Sequence, residues 1–457
     1  MNFNSIFIVM KVHFIAIGGS IMHALAISLK QKGYYVTGSD DKFYSPSKDN
    51  LKKESLLPEE GWFPEKITND LDFVILGMHA KIDNPELIKA RENKIKIFSF
   101  PEFIANESRN KKRIVIAGSH GKTTITSMIM YALKENNFQF DYVVGAKIKG
   151  FNNLVKLSDS KIIIIEGDEY LSSKLDNKSK FLHYSPNLLV ISGISWDHVN
   201  VFSTFKSYLN TFIDLLVSCS KKTKLFFVNN DSNLKNIIKF FPGHHEKYFL
   251  PAYKINAGKV EINNNNNFYR LSIFGEHNLY NLEAARKICN ELGLSDNLFY
   301  KSISSFSGAK NRLELFYEIN SDSKIYRDFA HSPSKVKASV SALKDLFPKN
   351  YLIACLELYT FSSLTLEFLV RYKNTFEKAD FVWIFYSKKE LIKRGMHTFN
   401  YEDVMNKIDH KNVLVFTDKN DLKEKIRKIK WLKTNLLLMS SGNFQEVNFK
   451  QVIRSLK

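Results

Sequence analysis

Cysteine is scarce in this chain. Cys219, Cys289 and Cys355 are the only three among 457 residues, far apart and without a C-x-x-C pair. Such isolated thiols make neither a disulfide framework nor a thiolate metal site; they suit buried apolar positions in a reducing cytosol. Long hydrophobic runs are also missing. The one stretch that imitates a signal peptide, Ile6–Leu29, carries Lys11 inside its apolar run and is broken at Gly18-Gly19 by a strand-to-helix turn. No other window is long enough to span a bilayer, so no membrane partner is expected, and the cytoplasm is the expected location. Acidic charge is in deficit: 66 lysines and arginines face 47 acids, a net charge of +19. That excess invites a nucleic-acid partner. The lysines are dispersed among Asn, Ile and Phe, however, and form no compact basic helix with interleaved aromatics. The surplus reads as compositional drift of the kind AT-rich codon usage gives, and no nucleic-acid partner is expected. Internal repeats are absent beyond a general strand–helix rhythm. The single low-complexity patch, Asn263–Asn267, predicts a hairpin loop.

What is present is α/β throughout. The length fits two to four domains, and 44% hydrophobic with 25% charged residues suits globular cores. Lys11–Ile17 reads as a strand, Gly18–Ser20 as a turn, Ile21–Lys32 as a helix, and Tyr35–Ser39 as a strand ending in Asp40, a β-α-β unit. Short strands recur at Phe73–Leu76 and Ile95–Phe98, and the polar stretch Asn106–Arg113 reads as a linker. Central strands are expected at Ile162–Ile165, Leu188–Ile191 and Leu225–Val228. A later block offers strands at Lys324–Phe329, Tyr351–Leu356, Phe381–Phe385, Val413–Phe416 and Leu436–Met439, with a helix at Lys335–Leu346. Alternating strands and helices imply parallel sheets with helices on their faces.

The chemistry is concentrated in Ile114–Ile125, "IVIAGSHGKTTI". An apolar strand ends in a glycine-bounded turn, then Lys122, then two threonines opening a helix. Loop amides and the positive helix end point at anionic oxygens, Lys122 can reach outer phosphates, and Thr123 can hold Mg²⁺. The general P-loop has a glycine where Ile116 stands, so Gly118-Ser119-His120-Gly121-Lys122-Thr123-Thr124 is a compact variant. ATP is the expected ligand. Glu166 ends a four-isoleucine strand, where an α/β sheet presents ligands, and its carboxylate suits Mg²⁺ beside Thr123. Asp168 and Glu169 read as its supporting neighbours or as caps. Gly18, Gly19 and Ser20 can seat a pyrophosphate on a helix N-terminus, with Ser39 and Asp40 at the end of the next strand.

The loop "GSHGKTT" resembles that of the Mur ligases, the ATP-dependent amide ligases of bacterial cell-wall synthesis. Met10–Asp41 resembles that family's uridine-nucleotide entry, with residues 1–9 before it as a short extension or an over-long translation start. Ile162–Tyr170 ("IIIIEGDEY"), Trp196–Val199 ("WDHV"), Gly275–Asn281 ("GEHNLYN"), Asn311–Glu314 ("NRLE") and Asp328–Pro333 ("DFAHSP") follow in the family's order. The resemblance implies a three-domain α/β architecture: a Rossmann-like N-terminal UDP-sugar domain (1–108), a central P-loop ATPase domain (109–314) and a Rossmann-like C-terminal domain for the amine (315–457). It implies ATP and Mg²⁺ as cofactors, and UDP-N-acetylmuramate with a peptide or amino-acid amine as partners. Gly18, Gly19, Ser20, Ser39, Asp40 and His79 would bind the sugar nucleotide; Asn84-Pro85-Glu86 matches a segment facing it. His198 would join Thr123 and Glu166 at the metals. His277, Asn278 and Asn281 would contact adenine and phosphates, Arg312 the phosphates, Asp328 the ribose, and His331 would lie in the same cleft. Lys122, Glu166 and His198 would be catalytic.

The implied reaction forms an acyl phosphate on the sugar's lactyl carboxylate, which the amine then attacks, with the third domain closing to exclude water. Arg327 and Ser332 depart from the family's pattern around Asp328, and Gly193 stands where relatives often have Asn. Two amines are in play, L-alanine and a peptidoglycan-derived tripeptide. Ser172–Asp197, with its extra Asp-x-x-x-Lys-Phe stretch, and "GSDDKFYSPSK" resemble the peptide-adding members more closely. A nucleic-acid-dependent ATPase and a non-catalytic nucleotide-binding protein are the remaining classes. The intact Lys122–Thr123, Glu166 and His198 set argues against loss of catalysis.

Overall fold

A computed structural model describes residues 9–173, 175–196, 201–256, 258–308, 312–396 and 400–454. The chain divides into two compact units that part between Tyr248 and Phe249.

The first unit carries two sheets. In the first, β1 (Lys11–Ile15), β2 (Tyr35–Ser39), β3 (Phe73–Leu76) and β4 (Lys96–Ser99) run parallel in the order β2-β1-β3-β4. The strand expected to reach Ile17 stops at Ile15, because Ala16 takes a left-handed turn (φ 65°) into the helix Ser20–Gln31. The second sheet holds β5 (Lys112–Ala117), β6 (Asp141–Val143), β7 (Val155–Lys156), β8 (Ile162–Glu166), β9 (Leu188–Ile191), β10 (Lys224–Val228) and β11 (His244–Tyr248), ordered β11-β10-β9-β5-β8-β6-β7. Only the edge pair β6–β7 is antiparallel. Its central strands are Ile/Val/Leu runs because both faces are covered; Ile114–Ala117 and Ile163–Ile165 are fully buried. The two sheets are tied together. Asn153 Nδ2 donates to the Ala24 carbonyl at 2.8 Å, and Leu157 N donates to Ser28 Oγ at 2.9 Å. The expected linker 106–113 is shorter than its polarity suggests, since the helix Phe100–Glu107 enters it and β5 begins at Lys112.

The second unit opens with a small antiparallel sheet, β12 (Tyr253–Asn256), β13 (Lys259–Asn264) and β14 (Asn267–Leu271). The asparagine patch is its hairpin: Asn264 pairs with Asn267, and Asn265 and Asn266 both take positive φ, as a two-residue hairpin turn demands. Helices Glu276–Glu291 and Asp296–Ser304 follow. The last sheet holds β15 (Glu314–Asn320), β16 (Ser323–Asp328), β17 (Tyr351–Glu357), β18 (Phe381–Phe385), β19 (Val413–Phe416) and β20 (Thr434–Met439), ordered β15-β16-β20-β17-β18-β19. All pairs are parallel except β15 with β16. Ile325, Ile353, Cys355, Trp383, Leu436 and Leu438 form its core. Cys219, Cys289 and Cys355 are free and buried. Among the described residues no helix is long and apolar enough to cross a membrane.

Candidate active site

Two strand–turn–helix junctions of the first unit carry a pair of glycines in the turn, Gly18 with Gly19 and Gly118 with Gly121. In one of them β5 ends at Ala117 and the chain turns through Gly118–Gly121 into the helix Lys122–Glu135. Gly118 (φ 121°) and Gly121 (φ 80°) occupy the region open to glycine. A Cβ on Gly118 would also press to 2.8 Å from the Ser192 backbone nitrogen, so the loop lies flush against the end of β9.

Lys122 Nζ donates to the Gly118 carbonyl at 2.7 Å and to Glu169 Oε2 at 2.6 Å. Glu169 is fully buried, and its Oε1 accepts from Tyr208 OH at 2.9 Å. Tyr208 has then spent its proton, so the Ser119 hydroxyl, 2.7 Å away, donates to it; Ser119 Oγ accepts in turn from Ser195 N at 2.8 Å. Burial works against the Lys122 charge, yet Glu169 and Asp168 outweigh it and hold the ammonium above the ordinary lysine range. Burial likewise opposes ionisation of Asp168, but Lys180, 2.6 Å away, and Lys122 keep its carboxyl below the usual value.

Parallel register sets Glu166 opposite Ile116, at the mouth of the loop. Thr123 Oγ1 donates to Glu166 Oε1 at 2.7 Å, and Gly145 N donates to Oε2 at 2.9 Å. A carboxylate and a hydroxyl converging at the helix start are an oxygen-only ligand pair of the type Mg²⁺ takes, so these residues fit the ion. Thr124 is buried in the first turn of the helix, and His120 is half-buried in the loop. His198 falls outside the described residues.

The other junction joins β1 to the helix Ser20–Gln31, which has Gly19 at its N-cap. Here an acid answers the turn: Gly18 N donates to Asp40 Oδ2 at 2.8 Å, and Asp41 N to Asp40 Oδ1 at 2.9 Å. Burial and a hydrogen bond from the Asp41 side chain push the Asp40 carboxyl up to about 6, against the pull of the Gly18 and Asp41 amides. Ser39 is fully buried next to it, and His79 sits exposed in the turn after β3. Glu86, expected to face a ligand, points inward instead. Fully buried, it accepts from Phe63 N at 2.7 Å and lies 3.3 Å from His13 Nε2, while Asn84 caps the helix Pro85–Glu92.

The second unit gathers its own polar cluster. Asp328 ends β16, buried, and accepts from the Ser339 hydroxyl. His277 opens the helix Glu276–Glu291 after Gly275 (φ 85°); burial lowers its pKa, with Asp328 pulling the other way. Asn278 Nδ2 is spent on the Phe274 carbonyl at 2.9 Å, and Asn281 is buried one turn on. The Arg312 guanidinium stacks 4.7 Å over Phe329, whose carbonyl contacts His331 Nδ1 at 2.8 Å. Sequence reasoning did not single out Tyr208 or Glu357, which accepts from Phe444 N at 2.8 Å and is pushed up by burial. Only its place at the end of β17 marked it.

A parallel α/β fold with a glycine loop, a buried charge-anchored lysine and an acid-tipped neighbouring strand defines a nucleotide-dependent enzyme of P-loop type. Comparison sharpens this. Residues 11–112 match the model of the Mur ligase family catalytic domain, and residues 116–289 that of the Mur ligase middle domain. The chain is 32% identical over 369 residues to a UDP-N-acetylmuramate–L-alanine ligase of Sulfurihydrogenibium sp., covering 78% of each chain. It is 28% identical over 345 residues to the UDP-N-acetylmuramate–L-alanyl-γ-D-glutamyl-meso-2,6-diaminoheptandioate ligase of Haemophilus influenzae, covering 73% of this chain and 76% of that one. The crystal structure of a murein peptide ligase from Psychrobacter arcticus superposes with a TM-score of 0.65 over 98% of both chains, at 20% identity. The chain belongs to the Mur ligase family: it has that family's three-domain α/β architecture and is an ATP-dependent ligase.

Proposed function

We propose that this ligase joins the lactyl carboxylate of UDP-N-acetylmuramate to the α-amine of L-Ala-γ-D-Glu-meso-diaminopimelate, in the cytoplasm, in cell-wall synthesis and recycling. Residues 1–108 take the sugar nucleotide, 109–314 the ATP and 315–457 the amine. ATP supplies the phosphoryl group that activates the carboxylate, and Mg²⁺ shields the anions that meet there. Thr123 and Glu166, with His198, would hold the metal. Lys122, kept cationic by Glu169 and Asp168, stabilises charge on the outer phosphates while the amides at the start of the helix Lys122–Glu135 orient them. Gly18, Gly19, Ser20, Ser39, Asp40 and His79 are assigned to the sugar nucleotide. His277, Asn278, Asn281, Arg312, Asp328 and His331 are assigned to the adenosine and phosphates.

One observation carries the choice of amine. The segment that resembles the peptide-adding members is built into the catalytic region, with Lys180 paired to Asp168, two residues from Glu166. The loop after β17 adds support. Arg394, the C-cap of the helix Lys388–Lys393, stacks 4.8 Å over Tyr359 and donates to its carbonyl at 2.8 Å; Glu390 takes its Nε at 2.9 Å, and the remaining N–H groups of this fixed guanidinium suit a carboxylate-rich peptide. A second reading, L-alanine as the amine, is favoured by the 32% identity to the alanine-adding relative. Incubating the enzyme with ATP, UDP-N-acetylmuramate and both amines at equal concentration, with products read by mass, decides between them. The tripeptide adduct is the expected main product. A predominance of UDP-N-acetylmuramoyl-L-alanine reverses the choice, and a product carrying neither amine removes the chain from both activities.

A further inference from the structure

A second cluster of metal-ligating side chains lies among residues that the nucleotide machinery does not use. Glu102 comes from the helix Phe100–Glu107 at the end of the first sheet, Asp176 from the segment between β8 and β9, and His183 from the short turn Lys180–His183. One ligand atom from each lies within 4.8 Å of the others, and among the described residues this is the one such trio of His, Cys, Asp or Glu. The contacts are not those of a settled ion pair. Asp176 Oδ2 lies 2.8 Å from His183 Nε2, yet this oxygen is buried without a hydrogen-bond partner, so the approach lacks the alignment of an N–H···O bond. The Ser172 hydroxyl donates to the Lys178 carbonyl at 2.8 Å, so its Oγ accepts from His183 Nε2 at 3.1 Å, and it is this ring proton that a metal would displace. Glu102 spends Oε2 on capping its helix, accepting from Ser99 N and Oγ at 2.7 Å, which leaves its other oxygen for a ligand.

We propose that Glu102, Asp176 and His183 form a zinc-binding site. One imidazole and two carboxylates are a ligand set that Zn²⁺ accepts, with a water completing the tetrahedron; Mg²⁺ and Ca²⁺ prefer oxygen alone. All three side chains are partly accessible, which leaves room for that water. The three elements that supply the ligands belong to the same unit, and the turn Lys180–His183 packs against the helix Phe100–Glu107. The ion fastens the segment after β8 to the first sheet. That segment also carries Lys180, the partner of Asp168, so zinc steadies one edge of the catalytic region without entering the reaction.

The test uses the full chain, stripped with chelator and titrated with ZnCl₂ by calorimetry in excess Mg²⁺, with thermal unfolding as a second readout. Wild type is expected to bind one zinc ion and to gain thermal stability from it. Glu102→Gln, Asp176→Asn and His183→Gln are each expected to weaken binding by at least about 10-fold and to lose the zinc-dependent gain. A wild type that binds no zinc overturns the site. So does full affinity in any one of the three variants, or a fall in Tm that is the same with and without zinc, since a purely structural cluster would behave in that way.

Discussion

Two junctions of the first unit share one local design: a parallel strand runs into a glycine turn and then into a helix, at Ile15–Ser20 and again at Ala117–Lys122. Their electrostatics are opposite. The second turn ends in a lysine whose charge is secured by a buried glutamate, so a phosphate arriving there meets a cation and the positive end of the helix Lys122–Glu135. In the first turn the Gly18 amide is already claimed by Asp40, so an anion there must compete with a carboxylate for the same N–H. The backbone motif therefore offers an anion site in both places, and the residue that answers the turn decides how strongly an anion is held.

The comparison is broken most directly at Lys122. Lys122→Ala is expected to lower turnover by on the order of 10³-fold while UDP-N-acetylmuramate still binds, because the cation serves the second junction alone. ADP release at the wild-type rate, or loss of calorimetric sugar-nucleotide binding, would undo the division of labour. Next, Glu169→Ala leaves Lys122 without its closest carboxylate and Tyr208 without an acceptor. Breaking a buried pair of this kind costs about 3 kcal/mol, and the urea midpoint should fall accordingly. Glu166→Gln should reduce kcat on the order of 10²-fold and raise the Mg²⁺ concentration needed for half-maximal rate. Wild-type rates at limiting Mg²⁺ would take Glu166 out of the metal set.

The smallest effect concerns the first junction. Asp40 has a folded-state pKa of about 6 against an ordinary 3.8, so the folded chain binds the proton more tightly than the unfolded one. Its contribution to stability is fully present below about 4 and is lost as pH rises through about 6. Relative to Asp40→Asn, wild type should therefore lose stability across that window; parallel pH profiles of the two proteins would refute the raised value.

Much of this was legible from local pattern. The isoleucine run before Glu166, the strands Leu188–Ile191, Phe381–Phe385 and Val413–Phe416, and the asparagine hairpin all stand where the residues point, since strand burial and turn conformation are settled within a few neighbours. The edge strand Glu314–Asn320 escaped notice because its residues are only half-covered and its antiparallel partner is met through pairing rather than through a hydrophobic run. Glu86 was placed by the resemblance alone, as part of a segment facing the sugar nucleotide, and local pattern could not show that His13 and the Phe63 amide receive it inside.

The sequence alone determined most of the buried strands, the phosphate loop and the order of motifs that mark the family, because strand, turn and helix signals act over short distances. Tertiary structure decided that Glu169 rather than Asp168 grips Lys122, that Tyr208 links that grip to Ser119, that Asp40 occupies the Gly18 amide, and that Glu102, Asp176 and His183 meet. Each of these joins residues far apart in the chain, and only the packing of one buried layer on another brings their charges within reach and removes the water that would otherwise screen them.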